Sequence, residues 1–203
     1  INRFCSSGVQ AVALAADRIR LGEADVMIAG GTESMSMVPM GGNKPSFNPE
    51  IFEKDENVAI AYGMGITAEK VAAQWKISRE AQDLYAADSH RRAIRATESG
   101  EFRDEVTPYR WVEHLPDLKA GEVKGVPREA ENDEGPRRDT SPEALAKLRP
   151  AFAAKGTITA GNSSQMSDGA GAVVLMSEAA VKRYNVTPLG RFVSYAVAGV
   201  PPD

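Results

Sequence analysis

One cysteine, two histidines and two tryptophans in 203 residues leave little material for several kinds of chemistry. The lone thiol, Cys5, excludes an intrachain disulfide and fits a reducing compartment, so a cytoplasmic location is expected. His90 and His114 each lack a second ligand at a recognised spacing, and no metal site is expected. No apolar run approaches the ~20 residues that cross a bilayer; stretches such as Ala13 to Ala16 and Ala172 to Met176 are far shorter. Ile1-Asn2-Arg3-Phe4 has neither the n- and h-regions of a signal peptide nor an Arg-rich transit character. A basic stripe is missing too: 24 Lys+Arg against 28 Asp+Glu give a net charge of -4, and no nucleic-acid partner is expected. Walker A and complete dinucleotide fingerprints are absent, and Gly30-Gly31 and Gly63-Met64-Gly65 do not replace them.

What is present is an ordinary globular composition, 42% hydrophobic and 26% charged, too apolar for disorder. After Cys5, apolar residues at Val9, Val12, Ala13, Ala16 and Ile19 have helical spacing, and Gly22 supplies a stop. Asp25 to Ala29 reads as a buried strand, which gives a βαβ-sized unit with its second strand parallel to an extended entry. From Ser34 to Asp55 glycines and prolines mark a loop. Two helices follow: one over 68–75, capped by Thr67 and burying Val71, Ala72 and Trp75, and one from Ser78 to Gly100 with Ala81, Leu84, Ala87 and Ile94 on one face. Mixed charges from Arg110 to Glu143 predict a solvated, partly irregular excursion. Core signals return at Thr157 to Ala160, at the strand Gly171 to Met176, at the helix Glu178 to Tyr184 and at a strand over Arg191 to Ala198. The outer segments therefore read as α/β layers around a mostly helical insertion.

Cys5 has the strongest claim to nucleophilic chemistry. It precedes a helix whose unpaired N–H groups and dipole favour a thiolate, and Ser6, Ser7 and Gly8 allow close approach to the sulfur. A buried structural cysteine is the alternative. The run from Thr159 to Ala172, rich in small side chains and hydroxyls, suits backbone contact with a long, narrow, amide-bearing ligand, or else a tight loop packed on a helix. His90 is expected on a solvated helical face and His114 in the charged excursion; neither is expected as a general base. Met27, Met35, Met37 and Met40 suit an acyl pocket or core gap-filling. Arg137-Arg138 reads as a solvated pair, though an arginine also stacks on purines or holds phosphate.

Asn2-Arg3-Phe4-Cys5-Ser6-Ser7-Gly8, followed by Ala29-Gly30-Gly31-Thr32-Glu33-Ser34-Met35-Ser36, resembles the nucleophile region of thiolases. Met64-Gly65-Ile66-Thr67-Ala68-Glu69 with Ser78-Arg79-Glu80-Ala81-Gln82-Asp83 resembles the family's loop domain, and Leu148-Arg149-Pro150-Ala151-Phe152 with Thr159 to Ala172 its return to the core. The resemblance covers essentially the whole chain. It implies a layered αβαβα fold of the α/β class. The expected division is part of the N-terminal core (1–34), a CoA-binding loop domain (35–152), the return to that core (153–187) and the start of the C-terminal core (188–203).

By the same resemblance, Cys5 accepts an acyl group from a 3-ketoacyl-CoA, releases acetyl-CoA and passes the acyl group to CoA, and its backbone N–H helps form an oxyanion hole. Ser164 would bond the pantetheine amide, Met64 would border the pantetheine channel, Arg137 would pack on the adenine, and Ala160 would be a further CoA-binding residue. CoA is then a substrate, no tightly bound cofactor is expected, and the parent protein is expected to be a homodimer or homotetramer. The family's Gly-His-Pro, Asn-Glu-Ala-Phe and Cys-x-Gly-Gly-Gly motifs do not occur in this sequence, so the chain is expected to be an internal fragment without turnover of its own. Gly63 stands where some biosynthetic members carry histidine, which favours the degradative branch over a biosynthetic acetyl-CoA acetyltransferase. A non-catalytic acyl-CoA- or lipid-binding relative is the remaining alternative.

Overall fold

The computed structural model describes residues 1–202 and divides the chain into two compact units, 1–51 with 166–202, and 52–165. In the first unit a single 3₁₀ turn, Phe4–Ser6, leads into helix α1, Ser7–Arg20, and then strand β1, Val26–Ser34. Strand β4, Asp168–Met176, and helix α6, Glu178–Tyr184, belong to the same unit, and a second 3₁₀ turn, Pro49–Phe52, stands at its boundary. The second unit holds helices α2 (Asp55–Val58), α3 (Met64–Gln74), α4 (Arg79–Ser99) and α5 (Pro142–Leu145), with strands β2 (Tyr109–Asp117) and β3 (Glu122–Ala130). The mixture of helices and sheets is that of the expected α/β class.

In the first unit, α1 turns its small residues Ala13, Ala15 and Ala16 inward against the β1–β4 sheet, where Ala29 is buried. Small side chains allow close helix–sheet approach, and Gly22, at φ +74°, ends α1 in the left-handed conformation that favours glycine. β1 runs through Gly30-Gly31 to Ser34 and pairs antiparallel with β4, Val26 opposite Met176 and Ser34 opposite Asp168. The expected parallel βαβ unit is therefore not formed. Residues 1–3 belong to no strand, and the partner of β1 comes from far along the chain. Beyond α6 the expected strand over Arg191 to Ala198 is absent. That segment is tied to α1 by side chains instead: Arg20 donates to the Val193 carbonyl at 2.7 Å and the Tyr195 hydroxyl to Gln10 at 3.0 Å.

In the second unit the Ser78 hydroxyl accepts from the Ala81 N–H and Gly100 closes α4 at φ +77°, so both expected ends of that helix are formed. The preceding helix starts at Met64, and its cap is Gly63 in extended conformation, not Thr67. Ala72 is buried on it, but Val71 and Trp75 are exposed, Trp75 at 70%. On α4 the buried residue is Asp83, while Leu84 of the expected apolar face is exposed. The charged excursion is ordered: β2 and β3 form an antiparallel hairpin from Tyr109 opposite Ala130 to Asp117 opposite Glu122. Its Arg110–Glu129 and Arg128–Glu113 ion pairs join facing strands at 3.0 and 2.8 Å.

Candidate active site

Cys5 lies in the 3₁₀ turn immediately before α1 and is exposed, so it is not the buried structural cysteine of the alternative reading. The turn is tied from both sides. The Ser7 hydroxyl accepts from the Arg3 N–H and donates to the Phe4 carbonyl, both at 2.8 Å, and Asn2 accepts from the Phe4 N–H at 3.0 Å. Phe4 itself sits at φ +48°, a left-handed conformation that costs a bulky residue about 1–2 kcal/mol. Backbone strain of this kind persists where neighbouring bonds enforce it. Here they enforce it next to the only thiol.

The other expected site residues all belong to the 52–165 unit. Met64 is the first residue of α3 and is exposed. The following residue, Gly65, allows close packing of Phe152: a Cβ there would stand 2.1 Å from the ring's Cδ1. Ala160 and Ser164 are exposed around a turn whose centre is buried, Thr159 being 0% accessible. The Ser163 hydroxyl is used within the turn, donating to the Thr159 carbonyl at 2.6 Å. Ser164's hydroxyl makes no hydrogen bond among the described residues and is free to meet a ligand amide.

Asn162 fixes this turn. Its Oδ1 accepts from the Thr159 N–H at 2.7 Å, and its Nδ2 donates to the Thr157 carbonyl at 3.1 Å and to Asp83 at 3.0 Å. Just upstream, Glu69 accepts from the Thr157 and Ile158 N–H groups, each at 2.9 Å, and from the Thr157 hydroxyl at 3.2 Å. Partial burial pushes the Glu69 carboxyl up, but the bonds from Ile158 and Thr157 outweigh it and hold the group below its usual value. Glu69, Arg79 and Asp83 lie in motifs that resemble the family's loop domain, and Asn162 in the Thr159 to Ala172 run, but the sequence assigns none of them a role. Arg79 and Asp83 have the i,i+4 spacing of a surface ion pair, which concealed that Asp83 is only 3% exposed.

Arg137 and His90 meet on a groove of about 730 Å³ between α4 and the segment 137–142, with an apolar floor that includes Leu84, Ala87 and Ile94. The Arg137 N–H donates to His90 Nδ1 at 3.1 Å, so His90 is bonded to the segment, not free on a solvated face. A neutral ring in this pairing carries its proton on Nε2. The Arg137 guanidinium grips Asp139 through Nε and Nη2 at 3.2 and 3.0 Å. This bond and the adjacent charge push Arg137 further up and Asp139 down. A guanidinium held edge-on by a carboxylate keeps its planar faces available for stacking. Arg138 pairs with Glu98, while Arg95, also on the groove, has no ion pair among the described residues.

Met37 and Met40, considered for core gap-filling, are exposed. His114 lies in β2 opposite Gly125. Among the described residues no group of three or more His, Cys, Asp or Glu side chains is placed to hold a metal ion, and no helix is long and apolar enough to cross a membrane.

Comparison with known proteins agrees along the chain. The family description "Thiolase, N-terminal domain" matches residues 1–179. The chain is 46% identical to the 3-ketoacyl-CoA thiolase of Bacillus subtilis, over 100% of this chain and 51% of the relative. It is 42% identical to the acetyl-CoA acetyltransferase of Pseudomonas aeruginosa, over 100% of this chain and 52% of that protein. Among solved structures, the dimeric peroxisomal thiolase of Saccharomyces cerevisiae superposes with a TM-score of 0.77 at 39% identity, covering 100% of this chain and 49% of that one. Human mitochondrial 3-ketoacyl-CoA thiolase in complex with CoA gives 0.70 at 39% identity, over 93% and 47%. The chain thus spans about half the length of the relatives it matches.

Proposed function

The chain belongs to the thiolase family, and from that premise we propose that the whole protein is an acyltransferase that cleaves 3-ketoacyl-CoA with CoA, using Cys5 as nucleophile. The Cys5 thiolate attacks the C3 carbonyl; the C2–C3 bond breaks, its electron pair stays on C2 of the departing acetyl-CoA, and that carbon takes up a proton. CoA thiolate then attacks the acyl-cysteine and the Cys5 thiolate leaves. Splitting the cleavage into two acyl transfers suits sulfur, which both attacks and departs readily. A backbone N–H at the Cys5 turn is the proposed donor to the oxyanion. The observation that carries this reading is the exposed thiol on a strained, bonded turn at the head of α1.

In this proposal the loop domain, 35–152, is the CoA-binding part, and the return to the core, 153–187, adds Ala160 and Ser164. Ser164 and Ala160 line the pantetheine, Met64 borders its channel, and the 137–142 groove takes the adenine against the open face of Arg137. The order of the four domain segments, a fatty-acid-degrading role, a cytoplasmic location and a homo-oligomeric whole protein belong to the same proposal. Relatives are named both 3-ketoacyl-CoA thiolase and acetyl-CoA acetyltransferase. Gly63 favours the first direction: its φ of -71° is open to any residue and an added Cβ would meet nothing within 4 Å. The backbone does not demand glycine there, so packing leaves room for the histidine that this chain lacks.

Intact-mass spectrometry of the full-length protein after incubation with an acyl-CoA tests the proposal. One acyl group is expected on the native protein and none on Cys5→Ala, with CoA binding retained. Equal adduct on both proteins would remove Cys5 from the mechanism.

A further inference from the structure

The side-chain relay Arg79–Asp83–Asn162, with buried Asp83 at its centre, joins the segment that follows the adenine groove to the turn that carries Ala160 and Ser164, and we propose that it is a positioning triad that sets the CoA site's geometry. This rests on the functional reading above. Arg79 Nη2 donates to the Leu145 and Leu148 carbonyls at 2.7 and 3.1 Å, gripping the end of α5 and the residues after it. Its Nε donates to Asp83 at 2.7 Å, and the other carboxylate oxygen of Asp83 accepts from Asn162 at 3.0 Å. Asn162 spends its remaining capacity on Thr157 and Thr159.

Three features separate this from ordinary packing glue. Asp83 is 3% exposed, and a carboxylate so placed needs its charge-assisted bonds. One of its oxygens holds the Asn162 turn directly, and the other holds Arg79 of its own helix, which in turn grips the Leu145 and Leu148 carbonyls, so the pair fixes two stretches against one helix. The polar groups are matched: among the described residues no buried side-chain nitrogen or oxygen lacks a partner. A CoA molecule that uses both stretches gains affinity only while their spacing is held, because a site that reorganises on binding loses that free energy. None of the three residues touches the ligand in this proposal; they act through Ala160, Ser164 and the 137–148 segment.

The test compares native full-length protein with Asp83→Asn, Asn162→Asp and the swap Asp83→Asn/Asn162→Asp. Asp83→Asn turns one acceptor into a donor against Arg79 or Asn162, and Asn162→Asp sets two carboxylates together. Each single variant is expected to raise KM for CoA about tenfold, the scale of one lost buried bond, with kcat within about twofold. The swap restores a donor–acceptor pair between positions 83 and 162 and is expected to recover at least half of the lost affinity. If Asp83→Asn does not fold, Asn162→Ser, which leaves the Arg79–Asp83 pair intact, carries the same expectation for KM. Lowered melting temperature with unchanged KM overturns the triad, as does a fall in kcat alone. A native protein that neither binds CoA nor transfers an acyl group overturns the functional reading and the triad's role with it. Native binding matched by all variants overturns the triad only.

Discussion

The Glu69 carboxylate and the Thr157 N–H meet at 2.9 Å, closing 88 residues of chain between α3 and the turn that presents Ala160 and Ser164. Because the bonds to Thr157 and Ile158 favour the charged form, the folded-state carboxyl lies below its reference value of 4.5. Its contribution to stability is complete above the unfolded value and is lost as pH falls through the lower folded one. Glu69→Gln, which offers one acceptor where two were used, is expected to lower stability at pH 7 by about 1–3 kcal/mol. Thermal melts of the pair at falling pH should converge below about 4.5; a gap that stays constant into strong acid would overturn the assignment.

Gly65 and Gly8 predict opposite outcomes for one substitution. Gly65→Ala drives a methyl to 2.1 Å from Phe152 Cδ1, an overlap near the root of a rigid ring, and is expected to cost about 1–3 kcal/mol. Removing the obstacle first, with Phe152→Ala, should make the second change nearly free. Gly8→Ala places its methyl in open space in the first turn of α1 and should stabilise the chain by about 0.5–1 kcal/mol. Denaturant midpoints of the four variants measure both effects, and a stabilised Gly65→Ala would contradict the packing.

The local signals in the sequence located the elements that local chemistry decides. Ser78 and Gly100 bound α4, and α6 spans Glu178–Tyr184 because Ser177 caps it and Asn185 ends it at φ +49°. Pairing between distant segments was not legible. β1 meets β4 across the length of the insertion, and nothing in Val26 to Ser34 encodes the direction of its partner. The β2–β3 hairpin was concealed for another reason: it is exposed on both faces, so Tyr109 to Asp117 shows no alternation of apolar and polar residues. Cys5, Met64, Ser164 and Arg137 stood out through motif resemblance. Asp83 lies in one of those motifs, but its role was not legible, because its burial is created by Arg79 and Asn162, and a polar network among helix charges reads as surface until the turn at 159–163 folds over it.

Arg137 offers its planar face to a ligand while its edge holds Asp139. Arg137→Ala removes the face but keeps the backbone N–H that bonds His90. In the full-length protein it is expected to weaken CoA binding by about two- to five-fold, the range of an exposed stacked cation. Phosphopantetheine, which lacks the adenine, should bind both proteins alike. Calorimetric titration of the two ligands decides it, and an equal loss for both would place Arg137 away from the adenine.

Phe4 separates stability from chemistry. Its φ of +48° is strained for a side chain with a Cβ and relaxed for glycine, and its ring is 63% exposed in this chain, so Phe4→Gly gives up little burial. The strain released, about 1–2 kcal/mol, is offset in part by the greater entropy of an unfolded glycine. The net expectation is a melting temperature that is unchanged or raised. Acyl transfer should move the other way. The bonds from Asn2 and Ser7 now hold Phe4, and through it Cys5, in one backbone conformation; glycine makes neighbouring conformations accessible and dilutes the attacking one. Acyl-enzyme formation in the full-length Phe4→Gly protein is therefore expected to slow by about tenfold, as small misplacements of a nucleophile do. Rapid-quench mass spectrometry beside a thermal melt reads both quantities, and loss of stability with unchanged acylation would show that the turn holds the fold and not the thiol.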